Sequence, residues 1–65
     1  MTTRRDMTNL VDITCIVRHE TDKAWLIHDG MQEVWIPKSQ SELHEDENDT
    51  IITMPEWLAR EKGLI

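Results

Sequence analysis

Residues 20–36 read ETDKAWLIHDGMQEVWI, and this stretch predicts a β-hairpin that carries two tryptophans. Asp29-Gly30 is the strongest turn signal of the chain, and β-prone runs lie on both sides of it. A two-residue loop would set Ala24 opposite Trp35 and mix the two faces of the hairpin. A three-residue loop with a glycine bulge at Gly30 would set Ala24 opposite Val34 and sort the faces better, so we expect this second register.

The expected register gives the hairpin one face for a core and one face for a partner. The core face would hold Ala24, Leu26, Val34 and Ile36. Exposed aromatic residues beside aliphatic ones form binding hot spots, so the opposite face is a candidate surface for another protein. That face would hold Lys23, Trp25, Ile27, Met31, Glu33 and Trp35.

The strands on either side of the hairpin have clear sequence signals. Residues 10–19 alternate between apolar and other side chains, with the apolar positions at Val11, Ile13, Cys15 and Val17, and this period of two predicts a half-buried strand. Pro37 cannot donate a hydrogen bond to a sheet, so the third strand should end there or run along an edge. Residues 50–53 predict a short fourth strand.

A helix is expected over about residues 54–62 at the end of the sequence. Thr53 and Glu56 have the spacing of a capping box, and Pro55 in the first turn costs no hydrogen bond. Glu56 and Arg60 are four residues apart, and Gly63 supplies a stop. The side chains expected to cover one side of the sheet are Met54, Trp57, Leu58 and Leu64.

Together these elements predict an α+β fold in the order β-β-β-β-α. The sheet would be either a small antiparallel sheet or a partly closed barrel, with a C-terminal helix. Residues 10–65 would form one small domain, and residues 1–9 would be a flexible lead-in. Residues 41–49 would form an acidic loop that is too charged for a small core.

The chain has a formal net charge of -6, and residues 42–49 contribute five acids and no base. Duplex nucleic acid is bound by neutralising phosphates with basic side chains, so this composition disfavours it as a partner. The loop residues Glu45, Asp46, Glu47 and Asp49 would be either a solvated spacer or a mimic of nucleic-acid charge that occupies a basic groove on another protein.

Other site classes find little support in the sequence. His19, His28 and His44 are too widely spread for a closed zinc set, and the acidic loop lacks the glycine and glutamate of a calcium loop. No nucleophile can be matched with a base and an orienting acid, so we expect no enzyme activity, no metal and no cofactor. Cys15 has no partner for a disulfide within the chain and is expected to be a buried hydrophobe.

The sequence also predicts a cytoplasmic location. No apolar run approaches the length of a membrane span, and the first residues lack the apolar segment of a signal peptide. A single unpaired cysteine fits a reducing compartment. We therefore expect a protein of the host cell cytoplasm with no membrane association.

Three segments of the chain carry a resemblance to a protein family. They are residues 20–24 (ETDKA), residues 35–40 (WIPKSQ), and residues 55–59 (PEWLA) followed by Lys62-Gly63-Leu64. Over roughly residues 13–65 the chain resembles short, mostly uncharacterised proteins encoded by phages and prophages. The resemblance implies a mobile-element origin and brings no catalytic residues with it. It implies stoichiometric binding to a host or phage protein, as an inhibitor of a defence or nucleic-acid-processing complex.

Three functions remain open from the sequence. The first is a non-enzymatic accessory protein that binds a host or phage protein through the tryptophan face and the acidic loop. The second is a binder of nucleotides or single-stranded nucleic acid, in which Trp35 stacks a base and Lys38 meets a phosphate. The third is a structural homo-oligomer whose tryptophans are buried between copies.

Overall fold

The computed structural model of the chain describes residues 9–65, which form five antiparallel strands and one helix. The strands are β1 (Leu10–Glu20), β2 (Ala24–His28), β3 (Glu33–Pro37), β4 (Glu42–Glu45) and β5 (Thr50–Pro55). The helix α1 is Glu56–Glu61, and a 3-10 turn, Lys38–Gln40, follows β3. The predicted α+β class is confirmed. The flexible lead-in predicted for residues 1–9 lies outside the described residues, except for Asn9.

The strands follow the order β3-β2-β1-β5-β4 in one sheet, with β3 and β4 at the edges. The sheet is open, so the alternative of a partly closed barrel is not supported. β1 joins two halves of the sheet, because residues 10–15 pair with β5 and residues 16–20 pair with β2. A bulge between Val17 and His19 interrupts the second ladder. Bulges bend a strand and increase its twist, so β1, the central strand of the sheet, bends at this position.

The core lies on one face of this sheet. The predicted alternation in β1 is confirmed, since Cys15 is buried and Val11, Ile13 and Val17 pack against the buried cluster. That cluster consists of Cys15, Ile27, Ile36, Ile52, Met54, Leu58 and Ala59. Leu58 and Ala59 are supplied by α1, which covers part of this face. We call it the core face and the opposite side of the sheet the outer face.

The β2–β3 hairpin has neither of the two registers expected from the sequence. Trp25 lies opposite Ile36, and Leu26 lies opposite Trp35. The backbone N–H of Asp29 donates to the Gln32 carbonyl at 3.2 Å, which places Asp29 before the turn and not within it. The turn is centred one residue later than Asp29-Gly30.

The side chain of Asp29 is the physical reason for this later turn. Its carboxylate accepts hydrogen bonds from the backbone N–H groups of Met31 and Gln32, both at 2.9 Å. Asp is favoured at the first position of a turn for this reason. Gly30 then occupies the first central position with φ +107, a conformation that favours glycine.

The predicted acidic loop is in part a strand. Residues 42–45 form β4 and pair with β5, with Leu43 opposite Ile52. Leu43 packs against the core while Glu42, His44 and Glu45 are exposed, so an edge strand accommodates the charges that a buried strand would exclude. The described chain therefore has one strand more than the sequence predicted.

The helix begins later than predicted, and the capping box is wrong. β5 runs through Pro55, and no side chain caps α1. The Thr53 hydroxyl donates to the Asp12 carboxylate at 2.6 Å, while the N–H of Glu56 donates to the Asn9 carbonyl at 2.7 Å. A backbone carbonyl from the segment before β1 thus replaces the predicted threonine cap.

The end of α1 follows the prediction. Gly63 has φ +78, its N–H donates to the Arg60 carbonyl, and the N–H of Leu64 donates to the Ala59 carbonyl. These two bonds define a Schellman motif, and Leu64 packs against the core, a contact that frequently accompanies this motif. The predicted ion pair between Arg60 and Glu56 is also present.

Candidate binding surface

The register places the two hairpin tryptophans on opposite faces of the sheet. Residues directly opposite each other in a ladder share a face, so Trp25 lies with Ile36 on the core face. Trp35 lies with Leu26 on the outer face and is 42% exposed. The prediction that Trp25 and Trp35 form one face is therefore wrong.

Ile27 and Met31 are also separated by the fold. Ile27 is fully buried and lies opposite Val34 in the core, so it cannot contact a partner of the folded protein. Its predicted place on the exposed tryptophan face is wrong, because the loop is Gly30-Met31 and not the expected residues 28–30, which exchanges the faces of the two strands relative to each other. Met31 is 92% exposed at the tip of the β2–β3 turn.

Contacts with neighbouring residues hold Trp25 on the core face. Its ring packs against the buried cluster, and the Lys38 ammonium lies 5.4 Å from the ring centroid. The same ammonium donates to the Glu20 carboxylate at 2.5 Å. Lys38 thus combines a cation–π contact with an ion pair. The structure does not bring Lys38 to the outer face beside Trp35, as the nucleotide hypothesis required.

Four side chains share the outer face in an arrangement that the sequence did not predict. Leu26 on β2 lies between His19 on β1 and Trp35 on β3. The rings of His19 and Trp35 meet edge to face with centroids 6.0 Å apart. Ile16 belongs to the same face and is 60% exposed. We call Ile16, His19, Leu26 and Trp35 the outer patch.

An ion pair lies beside the outer patch. Arg18 sits in the β1 bulge, and its Nε lies 3.4 Å from the Glu33 carboxylate. Both side chains are about half exposed, so this pair adds little stability by itself. Arginine next to tryptophan is a typical composition of binding hot spots. The sequence pattern did not predict this bulge, which moves His19 onto the outer face of β1.

The acidic residues expected to bind a partner lie in the β4–β5 hairpin. Glu45, Asp46, Glu47 and Asp49 are all exposed, and the N–H of Asp46 donates to the Asp49 carbonyl at 2.7 Å. Within residues 9–65, none of these four carboxylates is in an ion pair, whereas Arg18, Lys38 and Arg60 each pair with a glutamate elsewhere. We call these four residues the acidic hairpin.

A cleft lies between Ile16 of the outer patch and Asp49 of the acidic hairpin. It has a volume of about 530 Å³ and opens where β1 changes partners from β5 to β2. Ile16 and His28 line it on one side and Asp49 on the other. Asp29 also lines it. The structure therefore places an exposed apolar cluster next to uncompensated negative charge.

Two titratable groups of the cleft have shifted pKa values. Hydrogen bonds from the N–H groups of Met31 and Gln32 lower the pKa of Asp29, so its carboxylate stays ionised to lower pH than that of an ordinary aspartate. Burial, with a smaller contribution from the charge of Asp29, raises the pKa of the Cys15 thiol. Cys15 is thus a packed thiol that is protonated at neutral pH.

Metal and membrane sites were also considered. Among residues 9–65, no three His, Cys, Asp or Glu side chains are grouped so that they could hold a metal ion. In the same part of the chain no helix has the length and apolar character needed to cross a bilayer.

The fold and this surface define the chain as a small α+β domain with an open sheet and an exposed apolar patch bordered by acidic residues. Comparison with known protein families gave no match, and neither the curated proteins nor the solved structures compared with the chain contained a similar one.

Proposed function

We propose that this chain is a non-enzymatic binding module of phage type, which acts by stoichiometric binding to a host or phage protein in the host cytoplasm. The observation that carries the proposal is the outer patch, in which Trp35 and Ile16 stay exposed on one sheet face and Ile16 lines a cleft together with Asp49 of the acidic hairpin. Tryptophan anchors dominate the binding energy of many interfaces. The resemblance to phage and prophage proteins supports the same class.

The chemistry of the surface indicates the kind of partner. Asp29 and Asp49 line the cleft next to Ile16, so a basic side chain seated there would meet negative charge while its apolar neighbours cover the patch. Three of the five basic side chains in residues 9–65 are already paired within the chain. We therefore propose a partner with a basic, partly apolar surface, such as one that normally contacts nucleic acid.

A photo-crosslinking experiment tests this proposal. A benzophenone amino acid replaces Trp35 in one variant and the exposed Glu61 of α1 in a control variant. Both chains are irradiated in the bacterial host, and adducts are identified by mass. We expect an adduct with a different protein from position 35 and none from position 61. Equal capture at both positions, or adducts of the chain with itself alone, would contradict the proposal.

Once the partner is purified, the contributions of Trp35 and of the acidic hairpin to binding can be measured. Trp35→Ala is expected to weaken binding about 30-fold or more, as for a hot-spot tryptophan that contributes about 2 kcal/mol. Glu61→Ala is the matched control and should bind normally. Neutralising the acidic hairpin with Glu45→Gln, Asp46→Asn, Glu47→Gln and Asp49→Asn should weaken binding and flatten its salt dependence. If salt dependence is unchanged, the acidic hairpin is a solvated spacer.

A further inference from the structure

The β3 strand forms an open edge of the sheet, and the hydrogen bonds around it show which backbone groups are free. The N–H of Lys38 donates to the Lys23 carbonyl at 2.7 Å, and the N–H of Asp29 donates to the Gln32 carbonyl at 3.2 Å. The backbone N–H and carbonyl groups of residues 32 and 38 therefore point toward β2. In an antiparallel ladder the direction of these backbone groups alternates from one residue to the next, so those of residues 34 and 36 also point toward β2.

It follows that Glu33, Trp35 and Pro37 direct their backbone groups away from the sheet. Glu33 and Trp35 each offer an N–H and a carbonyl, and Pro37 offers a carbonyl that already accepts the Ser41 hydroxyl at 2.7 Å and has a second lone pair. Open edges of this kind are templates for another strand.

We propose that the occupant of this edge is the β3 strand of a second copy of the chain, in a two-fold antiparallel pair centred on Trp35. The N–H of Trp35 would donate to the carbonyl of the same residue in the other copy. The N–H of Glu33 would donate to the other copy's Pro37 carbonyl. Two donors in each of two copies give four hydrogen bonds. The missing N–H of Pro37 leaves only the Glu33 carbonyl without a partner.

The side chains of β3 fit this self-pairing. All five residues of both strands overlap in the register, with Val34 opposite Ile36 and Trp35 opposite Trp35. Glu33 would lie opposite Pro37, so no like charges face each other, and Arg18 already pairs with Glu33. Apolar and aromatic pairs across strands are favourable. Any shift of the register sets part of one strand against the turn of the other.

The other edge of the sheet explains why β3 and not β4 should pair. β4 exposes Glu42, His44 and Glu45 and leads into the acidic hairpin, so two β4 edges would bring like charges together. Pairing through β3 keeps the acidic hairpins on the outer edges of a ten-stranded sheet. The two outer patches would then join at Trp35 into one surface, which leaves the proposed binding to another protein possible.

The solution mass and amide hydrogen exchange test this proposal together. Sedimentation measures the mass from about 1 μM to about 1 mM, a range that covers weak to moderate association. We expect a monomer–dimer equilibrium in which the amides of Glu33 and Trp35 exchange fast in the monomer and at least tenfold more slowly in the dimer. The amides of Val34 and Ile36 should be protected at both concentrations.

Two charge variants provide the matched control. Trp35→Lys places like charges opposite each other at the centre of the pair and should raise the dimer dissociation constant at least tenfold. Ile16→Lys places the same charge on the same face two strands from the edge and should leave the dimer intact. Circular dichroism checks that both variants are folded. A chain that stays monomeric, or a dimer in which the Trp35 amide exchanges as fast as in the monomer, would overturn the proposal. An effect of Ile16→Lys equal to that of Trp35→Lys would do so too.

Discussion

The register of the β2–β3 hairpin can be tested by comparing two neighbouring side chains. The structure buries Ile27 completely and leaves Leu26 half-buried on the outer face, whereas the register expected from the sequence buries Leu26 and exposes Ile27. Replacing a fully buried isoleucine with alanine costs about 2–5 kcal/mol, through lost transfer energy and the cavity left behind. Because the Leu26 site is partly open, we expect Leu26→Ala to cost about half as much as Ile27→Ala.

These losses are large compared with the unfolding free energy expected for the whole domain. At roughly 0.05–0.15 kcal/mol per residue, a domain of this size has an unfolding free energy of about 3–10 kcal/mol. Ile27→Ala could therefore unfold the chain, so Ile27→Val is measured beside it, with an expected loss of about 1 kcal/mol. Urea unfolding monitored by tryptophan fluorescence gives the free energies. If Leu26→Ala costs more than Ile27→Ala, the register described here is wrong.

Three further predictions concern the turns and the core. Gly63→Ala should cost about 1–2 kcal/mol in urea unfolding, because φ is +78, a conformation that residues with a Cβ rarely adopt; Gly63→Asn should cost less, since Asn tolerates this conformation. The Cys15 thiol should react with a disulfide reagent much more slowly in the native chain than in denaturant, and equally fast labelling would contradict its burial. Because the pKa of Asp29 is lowered from 3.8 on folding, its stabilising contribution is present above that pH and is lost as the pH falls through the lower native value. Asp29→Ala should therefore lower the midpoint of urea unfolding at neutral pH and flatten its acid limb.

The elements predicted well were those whose signals are local. The alternation in β1 is set by the period of a strand, and β3 ends at Pro37 on an edge of the sheet, where the missing N–H of proline costs no ladder hydrogen bond. Gly63 ends α1 because glycine adopts the positive φ of the Schellman motif without strain. Each of these signals acts within a few residues, so the sequence was sufficient to predict them.

The start of α1 shows how a contact distant in sequence overrides a local signal. Thr53 and Glu56 have the spacing of a capping box, but the Thr53 hydroxyl donates to Asp12, 41 residues away. Asn9 supplies the carbonyl that receives the N–H of Glu56. Both replacements exist only because β1 pairs with β5, and the local pattern contains no trace of that pairing.

The position of the β2–β3 turn determined which candidate residues ended up together. The dipeptide Asp29-Gly30 fits two turns, one with both residues in the centre and one with Asp29 before the centre. The second is selected in the structure by the Asp29 carboxylate and by the Gln32 side-chain amide, which donates to the Gly63 carbonyl at 2.9 Å. That last contact joins the turn to the end of α1.

The position of this turn also determines which face of the sheet each tryptophan occupies. Compared with the three-residue loop expected from the sequence, the observed register moves each residue of β3 three positions along β2. Because faces alternate with a period of two, an odd shift exchanges the two faces of one strand relative to the other. Trp25 consequently packs in the core beneath Lys38, while Trp35 faces solvent beside His19. The sequence predicted both hairpin tryptophans on one exposed face, and finding that Trp35 alone is exposed there required the side-chain hydrogen bonds of the turn.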